Sequence, residues 1–190
     1  NKYSLKYEKN MAIIESPYHE EDKDNIFNHQ IQTKLEEECQ NLGIEVIDIE
    51  IHHVGVPHMI VEIKENVFDK KEILEICGSI LNDYWVNNIS TEGINVNFIN
   101  INSDDDHSIS VLTWERGVDR LTLSCGSGSI ASYYYYLNDN TIKEHSNIVN
   151  ILNLGDFELY VIDDGNEMIY LMGPVFEYNL NESINALKVY

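Results

Sequence analysis

The chain has 190 residues, 12 of them basic and 33 acidic, for a formal net charge of -21. That charge repels phosphate backbones and anionic headgroups, which argues against nucleic acid and membrane surfaces as partners. Hydrophobic residues make up 43%, enough for a packed core in a single domain over residues 1–190 and too many for wholesale disorder.

Residues 2–15 read as a strand region ending near Pro17, and residues 19–25 as an acidic loop. Phe27, Ile31, Leu35 and Leu42 recur at helical spacing, with Gly43 as a C-terminal cap. The period then changes. Ile47, Ile49 and Ile51 alternate with Asp48 and Glu50, which predicts a strand with one wet face. A second strand is predicted over residues 59–63, after Pro57. Ile73, Leu74, Cys77, Ile80 and Leu81 place a helix over residues 69–81. Ile94, Val96 and Phe98 alternate with Asn95 and Asn97 in another strand, and Ile109 and Val111 lead one into Trp114. Residues 128–137 read as a helix. Strand-like runs close the chain at 148–152, 157–162 and 168–172.

Many short strands and about three helices, without regular strand-helix alternation, argue against a doubly wound sheet. The predicted class is α+β, a mixed barrel or sheet wrapped around a central helix. Three cysteines, Cys39, Cys77 and Cys125, are too few for a disulfide framework, and the expected compartment is a reducing cytoplasm. No run approaches the roughly 20 apolar residues of a membrane span, and no secretory signal is visible. Residue 1 is Asn rather than Met, so upstream sequence is expected.

The chemistry concentrates in residues 113–132, T-W-E-R-G-V-D-R-L-T-L-S-C-G-S-G-S-I-A-S. Cys125 follows a strand-like run and opens a helix through Gly126, Ser127 and Gly128. A helix N-terminus favours a thiolate, so the Cys125 pKa is expected to fall. The two glycines are expected to let backbone approach a ligand, with the N–H groups of residues 126–128 cradling a carboxylate. This arrangement suits removal of a proton next to a carboxylate, with the thiolate as general base. It equally suits a nucleophilic cysteine hydrolase partnered by His58. The bland reading is a glycine-rich turn around an inert cysteine.

W-E-R-G-V followed by C-G-S-G resembles the C-terminal half of diaminopimelate epimerases. Three more elements match in order between residues 53 and 175. His53-Val54-Gly55-Val56-Pro57-His58 is similar to the family's G-N-P-H segment. Glu92 to Phe98, E-G-I-N-V-N-F, is similar to its E-G-x-N-V-x-F strand, and Met172-Gly173-Pro174-Val175 to its closing T-G-P-A. Ordered matches are far more specific than any single motif.

The resemblance implies interconversion of amino-acid stereoisomers without pyridoxal phosphate, metal or other cofactor. For the family itself this is LL- to meso-diaminopimelate, in lysine and cell-wall precursor biosynthesis. Two cysteines would face opposite sides of Cα, and Cys125 matches the second. His58 and Glu115 match the residues that tune the pair. Asn95, Glu115 and Arg116 match positions holding the far end of the substrate, and Gly126 and Ser127 match backbone donors at the reacting end. An Arg binds a carboxylate bidentately and a Glu holds an ammonium. The expected partners are an amino-acid substrate, an N-terminal domain absent from this chain, and a second copy in a homodimer.

Three departures stand out. The family's first half, with its C-G-N-G motif, is not in this chain, and neither Cys39 nor Cys77 is flanked by such glycines. Val56 stands where the family has Asn, and Leu121 where it usually has Glu. A racemase of another amino acid, or a non-catalytic or partner-dependent domain of the same fold, are the alternatives.

Other features have structural readings. Cys39 and Cys77 lie on apolar helical faces as core residues. His52 and His53 read as sheet residues. Asp104-Asp105-Asp106-His107 reads as a solvated turn, because a calcium loop needs more oxygen ligands at alternate spacing. Tyr133–Tyr136 covers every face of its helix, so that helix is predicted to be buried, with the hydroxyls needing partners.

Overall fold

The computed structural model describes residues 5–8, 11–17, 29–101, 107–138, 145–154, 157–166 and 168–174. Along the chain these form β1 (Leu5–Glu8), β2 (Met11–Pro17), α1 (His29–Asn41), β3 (Val46–Val54), β4 (Val56–Ile63), α2 (Glu65–Phe68) and α3 (Lys71–Asn88). There follow β5 (Asn95–Ile101), β6 (Ser108–Glu115), β7 (Arg120–Thr122), α4 (Gly126–Asn138), β8 (Ile148–Leu152), β9 (Glu158–Asp163) and β10 (Met168–Pro174). The acidic loop predicted over 19–25 and the aspartates at 104–106 lie outside the described residues.

The strands join in one sheet, ordered β1-β2-β10-β9-β8-β6-β5-β4-β3, with β7 added alongside β6. Among the described strands two pairs are parallel, β4 with β5 and β6 with β8. Parallel neighbours need a crossover. The first carries α2 and α3 along one face, and the second carries β7 and α4 along the other. The sheet curls around α4, which touches β3 at one end of the strand order and β9 and β10 toward the other. The fold is therefore α+β, a mixed sheet wrapped around a central helix, as the sequence predicts.

Strand alternation separates two cores. Met59, Val61, Val96, Phe98, Leu112 and Trp114 face α1 and α3. Ile60, Ile99, Ile109, Val111, Val149 and Val161 face α4. Each fully buried Leu, Ile or Val contributes about 1.5–3 kcal/mol, so both faces matter to stability. Gly78 shows how tightly α3 seats: a Cβ there would lie 2.5 Å from Trp114 Cγ and 2.6 Å from its Cβ. Gly78→Ala is expected to destabilise by at least about 1 kcal/mol despite alanine's better helix propensity, read as a lower urea midpoint.

The helix predicted over 69–81 runs on to Asn88. Asn82 and Asp83 hid the continuation, but Trp85 lies one turn beyond Leu81 on the same face and is buried with it. In β3 the predicted alternation breaks at Ile47. The register shifts between Val46 and Asp48, making Ile47 the extra residue of a bulge, and its side chain is 53% exposed. The three-residue β7 is too short for alternation to reveal.

Cys39 and Cys77 are buried free thiols, with sulfurs 3.6 Å apart between α1 and α3. Tyr133–Tyr136 are all buried. Tyr135 Oη donates to Glu62 Oε2 (2.7 Å), Tyr133 Oη to Asp163 Oδ2 (3.4 Å), and Tyr136 Oη accepts from the Ser146 N–H (2.8 Å). Among the described residues no helix is long and apolar enough to cross a membrane.

Candidate active site

The α4-facing side of β4, β5 and β6 changes character along its length. Ile60, Ile99 and Val111 pack on the middle of α4. One step along the same rows, toward the start of α4, stand His58, Asn97 and Thr113, all buried. The register sets Asn97 opposite Thr113 and Thr113 opposite Thr122. A polar row thus lies under the helix N-terminus, and buried polar groups of this kind need partners.

They have them. Thr113 Oγ1 donates to Asn97 Oδ1 (2.9 Å). Asn97 Nδ2 lies 3.0 Å from His58 Nδ1 and 3.3 Å from the Met59 carbonyl. His58 Nε2 lies 3.0 Å from Ser127 Oγ, which is 3.5 Å from Cys125 Sγ. The Gly128 N–H donates to the same sulfur (3.4 Å). The Ser129 N–H closes the first helical bond onto the Cys125 carbonyl (2.8 Å). The N–H groups of Gly126 and Ser127 belong to the first turn, where no preceding helical carbonyl exists to receive them.

Two expectations change here. The Cys125 thiol is pushed up, not down. Burial is the largest cause and Glu115 adds to it, outweighing the lowering by Ser127 and the Gly128 N–H. At both glycines the space a side chain would need is already taken by protein. A Cβ on Gly128 would lie 2.3 Å from Asn97 Oδ1, and one on Gly126 would lie 2.8 Å from Leu171 Cδ2 of β10. The Gly128 N–H is committed to the sulfur and the Ser127 N–H also acts on it, so Gly126 and Ser127 are the candidate donors for an anion, with Gly126 the less engaged of the two.

His58 is held down to about 3, chiefly by burial, with Arg116 a lesser cause. It is therefore neutral across the physiological range. The linkage sign follows: the unfolded chain binds a proton near 6.5 that the folded site refuses. This stability is complete above pH 6.5 and is lost as pH falls toward about 3. His58→Gln is expected to flatten the pH dependence of urea unfolding between about pH 6 and 4 by one proton, or about 1.4 kcal/mol per pH unit.

A second group adjoins the first. Asn95 pairs with His58 across β4 and β5, and its Oδ1 accepts the Arg116 N–H (3.1 Å). Arg116 Nη1 donates to the carbonyls of Glu92 (2.5 Å) and Gly93 (3.1 Å). That leaves the Nε and Nη2 edge of the guanidinium as the fork for a carboxylate. Gly93 has φ +74, and a Cβ there would also meet Asn82 Oδ1 at 2.8 Å, so both backbone and space call for glycine. Glu115 Oε1 accepts from Thr122 Oγ1 (2.6 Å).

All the predicted site residues therefore come from β4, β5, the β6–β7 hairpin and the start of α4. The sequence reading missed Asn97, Thr113 and Thr122. The available signal was Asn97 lying two residues from Asn95, on the same strand face. The hydrolase arrangement is not present, because the Ser127 hydroxyl stands between His58 and Cys125 where a nucleophilic dyad needs a direct bond.

Residues 51–177 match the family model described as diaminopimelate epimerase, a span well over half the chain that holds every site residue named above. The chain belongs to the diaminopimelate epimerase family. Curated diaminopimelate epimerases from Methanocaldococcus jannaschii and from a Hydrogenobaculum species are among its relatives. The first is 26% identical over 165 residues, 87% of this chain and 50% of its own length. The second is 33% identical over 138 residues, 70% of this chain and 46% of its own. The chain spans about half the length of the curated relatives it matches. A solved structure from Clostridium difficile, titled a putative phenazine biosynthesis PhzC/PhzF protein, shares the fold at a TM-score of 0.59 and 11% identity, covering 92% of this chain and 58% of its own.

Proposed function

We propose that residues 1–190 form one half-site of a cofactor-independent amino-acid epimerase, equivalent to the C-terminal half of a diaminopimelate epimerase. The carrying observation is a half-buried cysteine at a helix start, beside two first-turn N–H groups and joined by Ser127 to a neutral, buried His58. The proposed reaction converts LL- to meso-diaminopimelate.

A carboxylate seated on the Gly126 and Ser127 N–H groups places Cα near Cys125. As the Cα–H bond breaks on the opposite face, its electron pair spreads onto the carboxylate oxygens, where these donors stabilise it. The departing proton goes to the opposing base, a cysteine supplied from outside this chain. Burial keeps Cys125 protonated in the empty site, so it delivers its S–H proton to Cα and is left as thiolate. In the reverse direction the thiolate takes the proton back. At the far end, the Arg116 edge binds the second carboxylate and Glu115 the second ammonium.

The test is deuterium wash-in at Cα from heavy water, measured on the protein expressed from its complete gene with LL-diaminopimelate. Wash-in supports the reading. No exchange with diaminopimelate or any other amino acid overturns it and leaves a domain that kept the fold without the reaction. Arg116→Lys is expected to raise the substrate KM about tenfold or more, because Lys lacks the planar fork. Steady-state kinetics reads this, and an unchanged KM removes Arg116 from the far-end site.

A further inference from the structure

We propose that Asn97 is a positioning residue: its amide holds His58 as the Nε2–H tautomer and so turns the Ser127 hydroxyl proton toward Cys125. The inference rests on the reading of Cys125 as the proton-transfer group and adds how its protonation is set.

The direction of the hydrogen bonds follows from a group that only accepts. The Met59 carbonyl has no proton, so the Asn97 atom 3.3 Å from it is the amide nitrogen. The Thr113 hydroxyl donates to the amide oxygen at 2.9 Å and fixes the other end. The same Nδ2 faces His58 Nδ1 at 3.0 Å, and because an amide NH2 only donates, Nδ1 must accept. A doubly protonated ring would set two N–H groups against each other. The ring proton therefore sits on Nε2 and points at Ser127 Oγ, 3.0 Å away. With that lone pair occupied, the hydroxyl sends its own proton toward Cys125 Sγ, 3.5 Å on. Every bond from Thr113 to Cys125 points the same way, and the Gly128 N–H adds a second donor at the sulfur. Such a donor line favours the thiolate relative to the same buried cysteine without it.

The line would fail if the amide were lost. Without its donor the ring is free to carry its proton on Nδ1. Nε2 would then accept from Ser127 and draw the hydroxyl proton away from the sulfur.

Two measurements on the complete protein test this. The first is long-range 15N–1H correlation of the histidine rings, with the His58→Gln spectrum assigning the signal. The expected result is Nε2–H at neutral pH; Nδ1–H, or an imidazolium, overturns the proposal. The second is the pH profile of iodoacetamide alkylation at Cys125, read by mass spectrometry. Asn97→Leu and Ser127→Ala are each expected to shift the midpoint upward and slow neutral-pH alkylation about tenfold. Ser127→Thr, which keeps the hydroxyl, should retain the wild-type midpoint. The double variant Asn97→Leu/Ser127→Ala should move no further than either single change, because Asn97 acts through Ser127. Additive shifts, or none with Asn97→Leu, overturn the proposal. If Asn97→Leu does not fold, the wild-type tautomer decides alone. Neither readout requires turnover, so absence of Cα exchange would sink the epimerase reading, while the ring tautomer and the alkylation midpoints decide separately whether Asn97 positions His58 and Ser127.

Discussion

Cys125→Ser is expected to reduce Cα deuterium exchange by about 10²–10⁴-fold, the range a positioned general acid–base group contributes. The change is nearly isosteric. Cys125 is only half-buried, and its sulfur contacts the Gly128 N–H and the Ser127 hydroxyl, both of which a serine oxygen can also bond. A melting-temperature shift of no more than about 2–4 °C, equivalent to roughly 1 kcal/mol, is therefore expected. The chemistry does not transfer so readily, because a serine hydroxyl gives up its proton far less easily than even this raised thiol. Exchange at the wild-type rate would remove Cys125 from the reaction. A large loss of stability with lost exchange would make it a structural cysteine.

Gly128→Ala sets two opposing effects against each other. Alanine gains about 1 kcal/mol of helix propensity over glycine. Its Cβ would meet Asn97 Oδ1 at 2.3 Å, and Cys125 Cβ and Thr113 Oγ1 at 3.3 Å. Asn97 has nowhere to retreat, since its amide is tied to Thr113, His58 and the Met59 carbonyl. Either α4 lifts from the sheet or that network breaks. The expected net cost is about 2–3 kcal/mol, in the range of overpacked cores, read as a lower urea midpoint. Slower Cys125 alkylation at neutral pH should accompany it. A midpoint that rises would show propensity winning and the helix start yielding freely.

Much of the fold was legible because periodicity reports burial directly. Leu35 and Cys39 sit one turn apart and are both buried in α1. The sequence pattern predicts a strand over residues 148–152, and β8 has those bounds. Where the reading fell short, a local pattern was interrupted by something non-local. The helical spacing predicts an end at residue 81, before the polar Asn82 and Asp83, yet Trp85 returns to the core one turn later. Ile47 matched a buried alternation, yet a bulge against β4 turns it outward.

The candidate site divides the same way. Cys125, His58, Asn95, Glu115, Arg116, Gly126 and Ser127 lie in ordered motifs, which are properties of the chain. Asn97 and Thr113 carry no such signal, since an Asn and a Thr in two strands mean nothing until β5–β6 pairing sets them opposite each other under α4.

The sequence by itself determined the helical and strand periods, the α+β class, the family motifs and the position of Cys125 at a helix start. Only the tertiary structure decided how that cysteine behaves. A helix N-terminus favours thiolate through its own nearby donors, but burial is imposed by the elements packed around it, and here burial outweighs the donors. The glycines follow the same logic. Their place in the C-G-S-G motif is written in the chain, while what a side chain there would meet, Asn97 Oδ1 at Gly128 and a Leu171 methyl at Gly126, exists only once the sheet has curled around α4.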